Sequence, residues 1–322
     1  MKTELLKILS LKTFFRILET NGNTIKYSFQ KPSLLLLHNI HVQWLQYIWQ
    51  KTDKHVPVYL SHNGTEPLCK NEVPSGFIDN LAVHYNDTSI IQHNIHNFEP
   101  QNVTKLRFNL KVSEQEVMPY FFQWQRYRKY WWSSITTTPG LFSINEIRNG
   151  DDSAEVDIVA HLTWGEQVVE NVSFKKINDD PATSTLTCST SLEAALITLL
   201  ADGLINSSKE DYLRLHRKLA PYKVSFALQC DDDKTKKTLQ DLAILLNSKL
   251  QGKNISTWFP EFKLPVDEQL TVNRKMGVVY TAILDDAALN NGIFYLMNSS
   301  TMLKEQIHVS DFENYAELLF KN

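Results

Sequence analysis

The sequence of 322 residues predicts an α+β protein of two domains, residues 1–206 and 207–322. Three observations carry that prediction. The length gives room for about two domains of roughly 150 residues each. Apolar residues alternating between Ala154 and Lys176 read as an antiparallel hairpin in the first domain. Beyond Asp211, strand and helix patterns alternate with a run of strands near the end, which reads as an α/β domain on a five-stranded mixed sheet.

Taken in order, the chain opens with Lys2, Lys7, Lys12 and Arg16 spread among leucines, isoleucines and phenylalanines. Lys7 and Lys12 break the apolar run, so a secretory or membrane-spanning start is not expected. Two readings fit it: a mitochondrial presequence, diluted by Glu4 and Glu19, and a first helix with Leu5, Leu9 and Phe15 inward. Leu34–Leu37 is a short apolar run, followed by the closely spaced Trp44, Tyr47 and Trp49. Residues 51–104 are polar and rich in His and Asn, and read as loops with short strands. Phe121, Trp124, Arg128 and Trp131 recur at helical spacing, in a helix expected to begin near Pro119 and end by Thr138-Pro139-Gly140.

Val156, Ile158 and Ala160 form one strand of the hairpin; Val168, Val169, Val172 and Phe174 form its partner across Trp164-Gly165. A helix follows from about Ser191 to Leu204, with Thr190 as its expected N-cap and Glu193 completing the capping pattern. In the second domain Val224, Phe226 and Leu228 alternate as a strand. Asp231-Asp232-Asp233 then opens a helix whose inner face is Leu239, Leu242, Ala243, Leu246 and Leu250, with Gly252 as its terminating glycine. Ser256–Phe259, Gly277–Leu284, Ile293–Met297 and Ile307–Val309 supply four more strands, and a helix capped by Ser310 and Glu313 closes the chain.

Composition narrows the function. Lys plus Arg is 33 and Asp plus Glu 36, a formal charge of −3, so no broad basic field draws the protein onto nucleic acid or anionic membrane. Only 10 glycines occur, roughly 3% against an average of about 7%, which argues against a glycine-built phosphate site. No P-loop, GxGxxG, GxSxG or HExxH pattern is present. Cys69, Cys188 and Cys230 have no pairing rhythm or zinc spacing. His93 and His96, like His38 and His41, stand three apart without a third ligand, so no metal and no cofactor is expected. The Trp124, Trp131 and Trp132 stripe suits a core more than a base-stacking platform. The basic residues form small clusters: Arg126, Arg128 and Lys129; Lys175 and Lys176; Arg214, Arg217 and Lys218; Lys234, Lys236 and Lys237. Each reads as a solvated face, or together as a stripe that contacts a nucleic-acid backbone.

Leu215-His216-Arg217-Lys218-Leu219-Ala220-Pro221-Tyr222-Lys223-Val224 resembles the start of the anticodon-binding domain of class II aminoacyl-tRNA synthetases. So do Gly277-Val278-Val279-Tyr280, Leu289-Asn290-Asn291-Gly292-Ile293 and the run Lys304–Ser310, in the same order. The resemblance implies a class II synthetase-like antiparallel-sheet domain followed by an α/β anticodon-binding-like domain. It also implies arginines that clamp the ATP phosphates. Yet no arginine lies between Arg16 and Arg107, and Ser191 and Ala194 stand where that pattern has a glycine and an arginine. An active synthetase is therefore not expected.

Arg128-Lys129-Tyr130-Trp131-Trp132 before Thr-Pro-Gly, the Leu-His-Arg-Lys-Leu-Ala-Pro segment and Met302–Ser310 together resemble the accessory subunits of mitochondrial DNA polymerase gamma. What the resemblance implies is a non-catalytic processivity factor of the mitochondrial matrix and nucleoid. It would bind the catalytic polymerase subunit and strengthen its hold on double-stranded primer-template DNA, which it would bind weakly alone. One copy per polymerase is expected, with a homodimer left open and no membrane partner. Polymerase contacts are expected at Leu289, Gly292, Phe294, His308 and Phe312, and DNA contacts at Arg126, Arg128, Lys129, Lys175, Lys176, Arg214, Arg217 and Lys218. The alternatives are a tRNA-binding module and a diverged class II synthetase.

Overall fold

The computed structural model describes residues 2–61, 73–79, 89–97, 100–101, 103–177, 180–205, 212–230 and 232–320. The chain divides into two compact units, Met1–Asp202 and Gly203–Asn322. The boundary expected near Asn206 to Asp211 lies outside the described residues.

The first unit opens with α1 (Lys2–Leu9), which buries Leu5, Ile8 and Leu9. The helix does not continue to Phe15. Phe14, Phe15 and Ile17 favour extended backbone, and β1 (Phe15–Asn21) pairs antiparallel with β2 (Thr24–Phe29). A helix that the aromatic spacing had not predicted follows, α2 (Lys31–Lys51), with Pro32 in its first turn and Leu36, Leu37, Ile40, Trp44 and Ile48 inward. Next come β3 (Val58–Ser61), β4 (Ser75–Asp79) and β5 (Ile90–Asn94). Two sheets result, because β5 joins β2 in a three-stranded antiparallel sheet while β3 and β4 join a larger one.

The larger sheet takes β6 (Lys105–Ser113), then β7 (Phe142–Ile144), β8 (Arg148–Asn149), β9 (Ser153–Leu162), β10 (Gly165–Ile177) and β11 (Asp180–Ser191). Its order is β3-β4-β6-β11-β10-β9-β7, with β8 on β9, and every pairing is antiparallel except β3 with β4. The expected hairpin is β9–β10, with Val156 opposite Val172. Across β7, β9, β10 and β11 lies α3 (Val117–Ser134). It starts two residues before Pro119, because a first-turn proline gives up no intrahelical hydrogen bond. The tryptophan stripe is core: Trp124, Trp131 and Trp132 are all buried. α4 (Leu192–Ile205) is capped by Ser191, whose Oγ accepts from the Ala194 amide at 3.2 Å. Thr190, the expected cap, instead donates its hydroxyl to the Val169 carbonyl.

The second unit alternates β12 (Val224–Leu228), α5 (Asp233–Gly252), β13 (Thr257–Trp258), α6 (Val266–Lys275), β14 (Tyr280–Leu284), α7 (Asp286–Asn290), β15 (Ile293–Asn298), β16 (Lys304–His308) and α8 (Phe312–Phe320). The five strands form a mixed sheet in the order β13-β12-β14-β15-β16, parallel on the first two pairings and antiparallel on the last two. One face packs Phe226, Leu228 and Phe294 against Leu239, Leu246 and Leu250 of α5 and Phe312 of α8. The other sets Ala227, Ile283 and Met297 against Val266 and Leu270 of α6. Strand β12 is buried at every residue, as an apolar run covered on both faces should be. Asp232 caps α5 by accepting from the Thr235 amide, while Asp231 of the same acidic run is outside the described residues. The helix runs through Gly252, and the left-handed residue that ends it is Asn254 (φ 57°). The strand expected from Gly277 begins at Tyr280, since Gly277 (φ 70°) turns the chain out of α6.

Candidate interaction surface

In the second unit, α7 and the turn after it bring Leu289 and Gly292 to the surface ahead of β15. Leu289 is 38% exposed. Gly292 adopts φ 74°, which favours glycine, and a β-carbon there would sit 2.5 Å from Nε2 of His308 and would have to displace that ring. His308, exposed at the end of β16, is held over that glycine: its Nδ1 accepts from the Ser310 amide at 3.2 Å and lies 2.7 Å from the Ser310 hydroxyl. The register sets Ile293 opposite His308 and Tyr295 opposite Gln306, and Gln306 donates to the Tyr295 hydroxyl at 3.1 Å. Ile293, Tyr295, Gln306 and His308 thus share one side of the two outermost strands, with Tyr295 and His308 exposed.

Two residues expected on this surface are elsewhere. Phe294 and Phe312 are buried and meet edge to face with ring centroids 5.0 Å apart. Alternation along β15 explains the difference, because Phe294 points to the α5 and α8 side while Ile293 and Tyr295 point to the other.

Among the basic residues of this unit, Arg214 and Arg217 are exposed and Lys218 is half-buried. Arg217 donates to the Leu319 carbonyl at 3.4 Å, and Lys223 hydrogen-bonds the Arg217 carbonyl. The local field is positive: His216 is pushed down to about 4, chiefly by burial and then by Lys218, Arg217 and Lys223. Burial alone pushes Lys223 down to about 7.

In the first unit the basic residues separate sharply. Arg126 and Lys175 are exposed, and Lys129 is half-buried. Arg128 is a correction: its side chain is 0% exposed, and its Nε donates to Glu170 Oε1 at 2.6 Å. Trp132 Nε1 donates to the other oxygen of Glu170 at 2.7 Å. The guanidinium lies 4.3 Å from the Trp131 ring centroid and 5.7 Å from those of Trp44 and Tyr47. It therefore belongs to the core and reaches no phosphate. The helical spacing shows the same thing, since Arg128 lies on the inward stripe of Phe121, Trp124 and Trp131. Lys176 is matched by Glu114 at 3.2 Å and Asp152 at 3.4 Å, which raise its pKa and occupy its charge.

The junction of β11 and α4, where the sequence resemblance pointed to a missing arginine, holds Ala194 at 0% exposure. Beside it the Glu193 carboxylate turns inward and accepts from the Thr104 amide at 2.9 and 3.0 Å. Burial nonetheless lifts Glu193 to about 7. Among the described residues, no group of three or more His, Cys, Asp or Glu is placed to hold a metal, and no helix is long and apolar enough to cross a membrane.

The sequence reading missed the outer face of α3. Met118, Phe122 and Tyr130 are 41%, 42% and 64% exposed and, with Arg126, fall at intervals of four along the helix. The spacing was legible, but the buried tryptophans drew attention to the opposite side.

These features define an α+β chain of two compact units, with one mainly antiparallel sheet and one five-stranded mixed sheet. No protein-family profile matches the chain. It is similar to the mitochondrial DNA polymerase subunit gamma-2 of Drosophila melanogaster, 29% identical over 238 residues that cover 66% of this chain and 65% of that one. It is likewise similar to the mitochondrial DNA polymerase subunit gamma-2 of Xenopus laevis, 26% identical over 60% of this chain and 48% of the relative. The DNA polymerase subunit gamma-2 of Bos taurus is 24% identical, over 60% and 45%. The likeness to the accessory subunits of mitochondrial DNA polymerase gamma is thus consistent across species. The matched region spans between about half and two-thirds of the length of these relatives.

Proposed function

We propose that the chain is an accessory subunit of a mitochondrial DNA polymerase, a processivity factor without catalysis of its own. The observation that carries this reading is the likeness to gamma-2 subunits from three species, over 60–66% of the chain. On this reading residues 1–206 are a degenerate class II synthetase-like domain and 207–322 an anticodon-binding-like domain. The buried Ala194 and the inward Glu193 support the loss of chemistry, because an alanine at that position offers no guanidinium to a phosphate.

The catalytic polymerase subunit docks on the second unit, at Leu289, Gly292 and the Ile293, Tyr295, Gln306 and His308 face of β15 and β16. An exposed apolar centre ringed by polar groups is the usual anatomy of such a surface. Arg126, Lys129, Lys175, Arg214, Arg217 and Lys218 add phosphate contacts that slow release of primer-template. With a formal charge of −3, affinity for DNA alone is weak and falls steeply with salt. One copy acts per polymerase, in the mitochondrial matrix and nucleoid.

Primer extension with the cognate catalytic subunit tests the reading. Adding the protein lengthens the products, while the protein alone extends nothing. Product length that stays unchanged at every salt concentration overturns it.

A further inference from the structure

We infer that the outer face of α3 is a platform for single-stranded nucleic acid. Met118, Phe122, Arg126 and Tyr130 form a ridge of successive i, i+4 neighbours, all exposed, on the side opposite the buried Phe121, Trp124, Arg128 and Trp131. Phe122 and Tyr130 are eight residues apart, about 12 Å along the axis, with Arg126 midway. Two rings flanking a cation is the arrangement that stacks unpaired bases and holds the phosphates between them.

Charge selects this occupant. The 18 residues of α3 contain no Asp or Glu. Arg128 is neutralised internally by Glu170, so the outward charge is that of Arg126 and Lys129. A second copy packed on the ridge by twofold symmetry would set like charges face to face. Duplex DNA keeps its bases stacked within the helix, whereas a single strand offers open base faces to both rings. The inference rests on the reading of the chain as a polymerase accessory subunit.

The test is fluorescence anisotropy with an oligothymidylate of about 20 nucleotides, longer than the ~4–16 nucleotides one single-strand-binding fold covers. Phe122→Ala and Tyr130→Ala should each weaken binding about tenfold. Arg126→Gln should lower the salt slope by about 0.7. Binding of the two ring variants to a duplex of equal length should change little, and sedimentation should show the same mass for all variants. Oligothymidylate affinity unchanged in both ring variants overturns the inference. It is also overturned if those variants keep that affinity but lose self-association or the lengthening of polymerase products, which would assign the ridge to a protein. A wild-type chain that binds oligothymidylate through the ridge yet never lengthens polymerase products sinks the accessory-subunit reading and leaves this one standing.

Discussion

Glu170→Gln is the sharpest perturbation of the first unit. It removes the carboxylate that matches a guanidinium 0% exposed, at a contact of 2.6 Å. At an effective dielectric of about 20 the Coulomb attraction at that distance is roughly 6 kcal/mol, set against several kcal/mol of desolvation for each ion. Deleting one partner forfeits the attraction while the desolvation of Arg128 remains, so the expected loss is about 3–5 kcal/mol. Arg128 Nη1 and Nη2 have no hydrogen-bond partner among the described residues, so nothing else is placed to take up the charge. For a unit of this size the loss corresponds to a fall in Tm of about 6–20 °C. Urea titration followed by tryptophan fluorescence reads it directly, because Trp131 and Trp132 touch the pair. The double variant Arg128→Met with Glu170→Gln should recover most of the stability. A cost below about 1 kcal/mol for Glu170→Gln alone would refute the buried pair. So would a change of about 0.9 in the DNA salt slope on Arg128→Met, since only a phosphate contact produces that.

Burial raises the folded Glu193 carboxyl to about 7, so its contribution to stability is complete below the unfolded value of about 4.3 and is lost as pH rises toward 7. Glu193→Gln should remove that slope and gain on the wild type by up to about 3 kcal/mol between urea titrations at pH 5 and pH 8. Gly292→Ala forces a left-handed alanine against His308 and should cost about 1–3 kcal/mol; adding His308→Ala should recover the steric part but not the backbone part, both read by urea midpoint. Leu289→Asp and Tyr295→Ala should lower co-purification with the polymerase while leaving the urea midpoint within about 0.5 kcal/mol of wild type. Lys175→Ala should reduce the DNA salt slope by about 0.9, whereas Lys176→Ala, whose charge is already matched, should barely change it.

Strong periodicity was readable in the sequence and cooperative context was not. The β9–β10 hairpin and α5 follow from alternation and a one-sided apolar stripe, and the mixed sheet follows from their order. α2 escaped because its N-cap, Gln30, offers no side-chain hydrogen bond and its aromatics read as irregular. The three-stranded sheet escaped because β5 joins β2 across more than sixty residues, a pairing no local pattern encodes. At the candidate surface, Arg128 and Phe294 were judged by residue type when their spacing already placed them inward. Leu289 and His308 are exposed.

Ala194 has a longer consequence. An arginine put back at that position would enter a fully buried site beside a carboxylate already bound by the Thr104 amide. Forcing that long side chain into a close-packed site typically costs about 1–3 kcal/mol, and the cost would fall before any chemistry returned. On the proposed reading, close packing then acts as a ratchet. Once the junction filled with small apolar side chains, selection for a stable fold alone would keep the lineage from regaining adenylate chemistry, whatever advantage that activity offered.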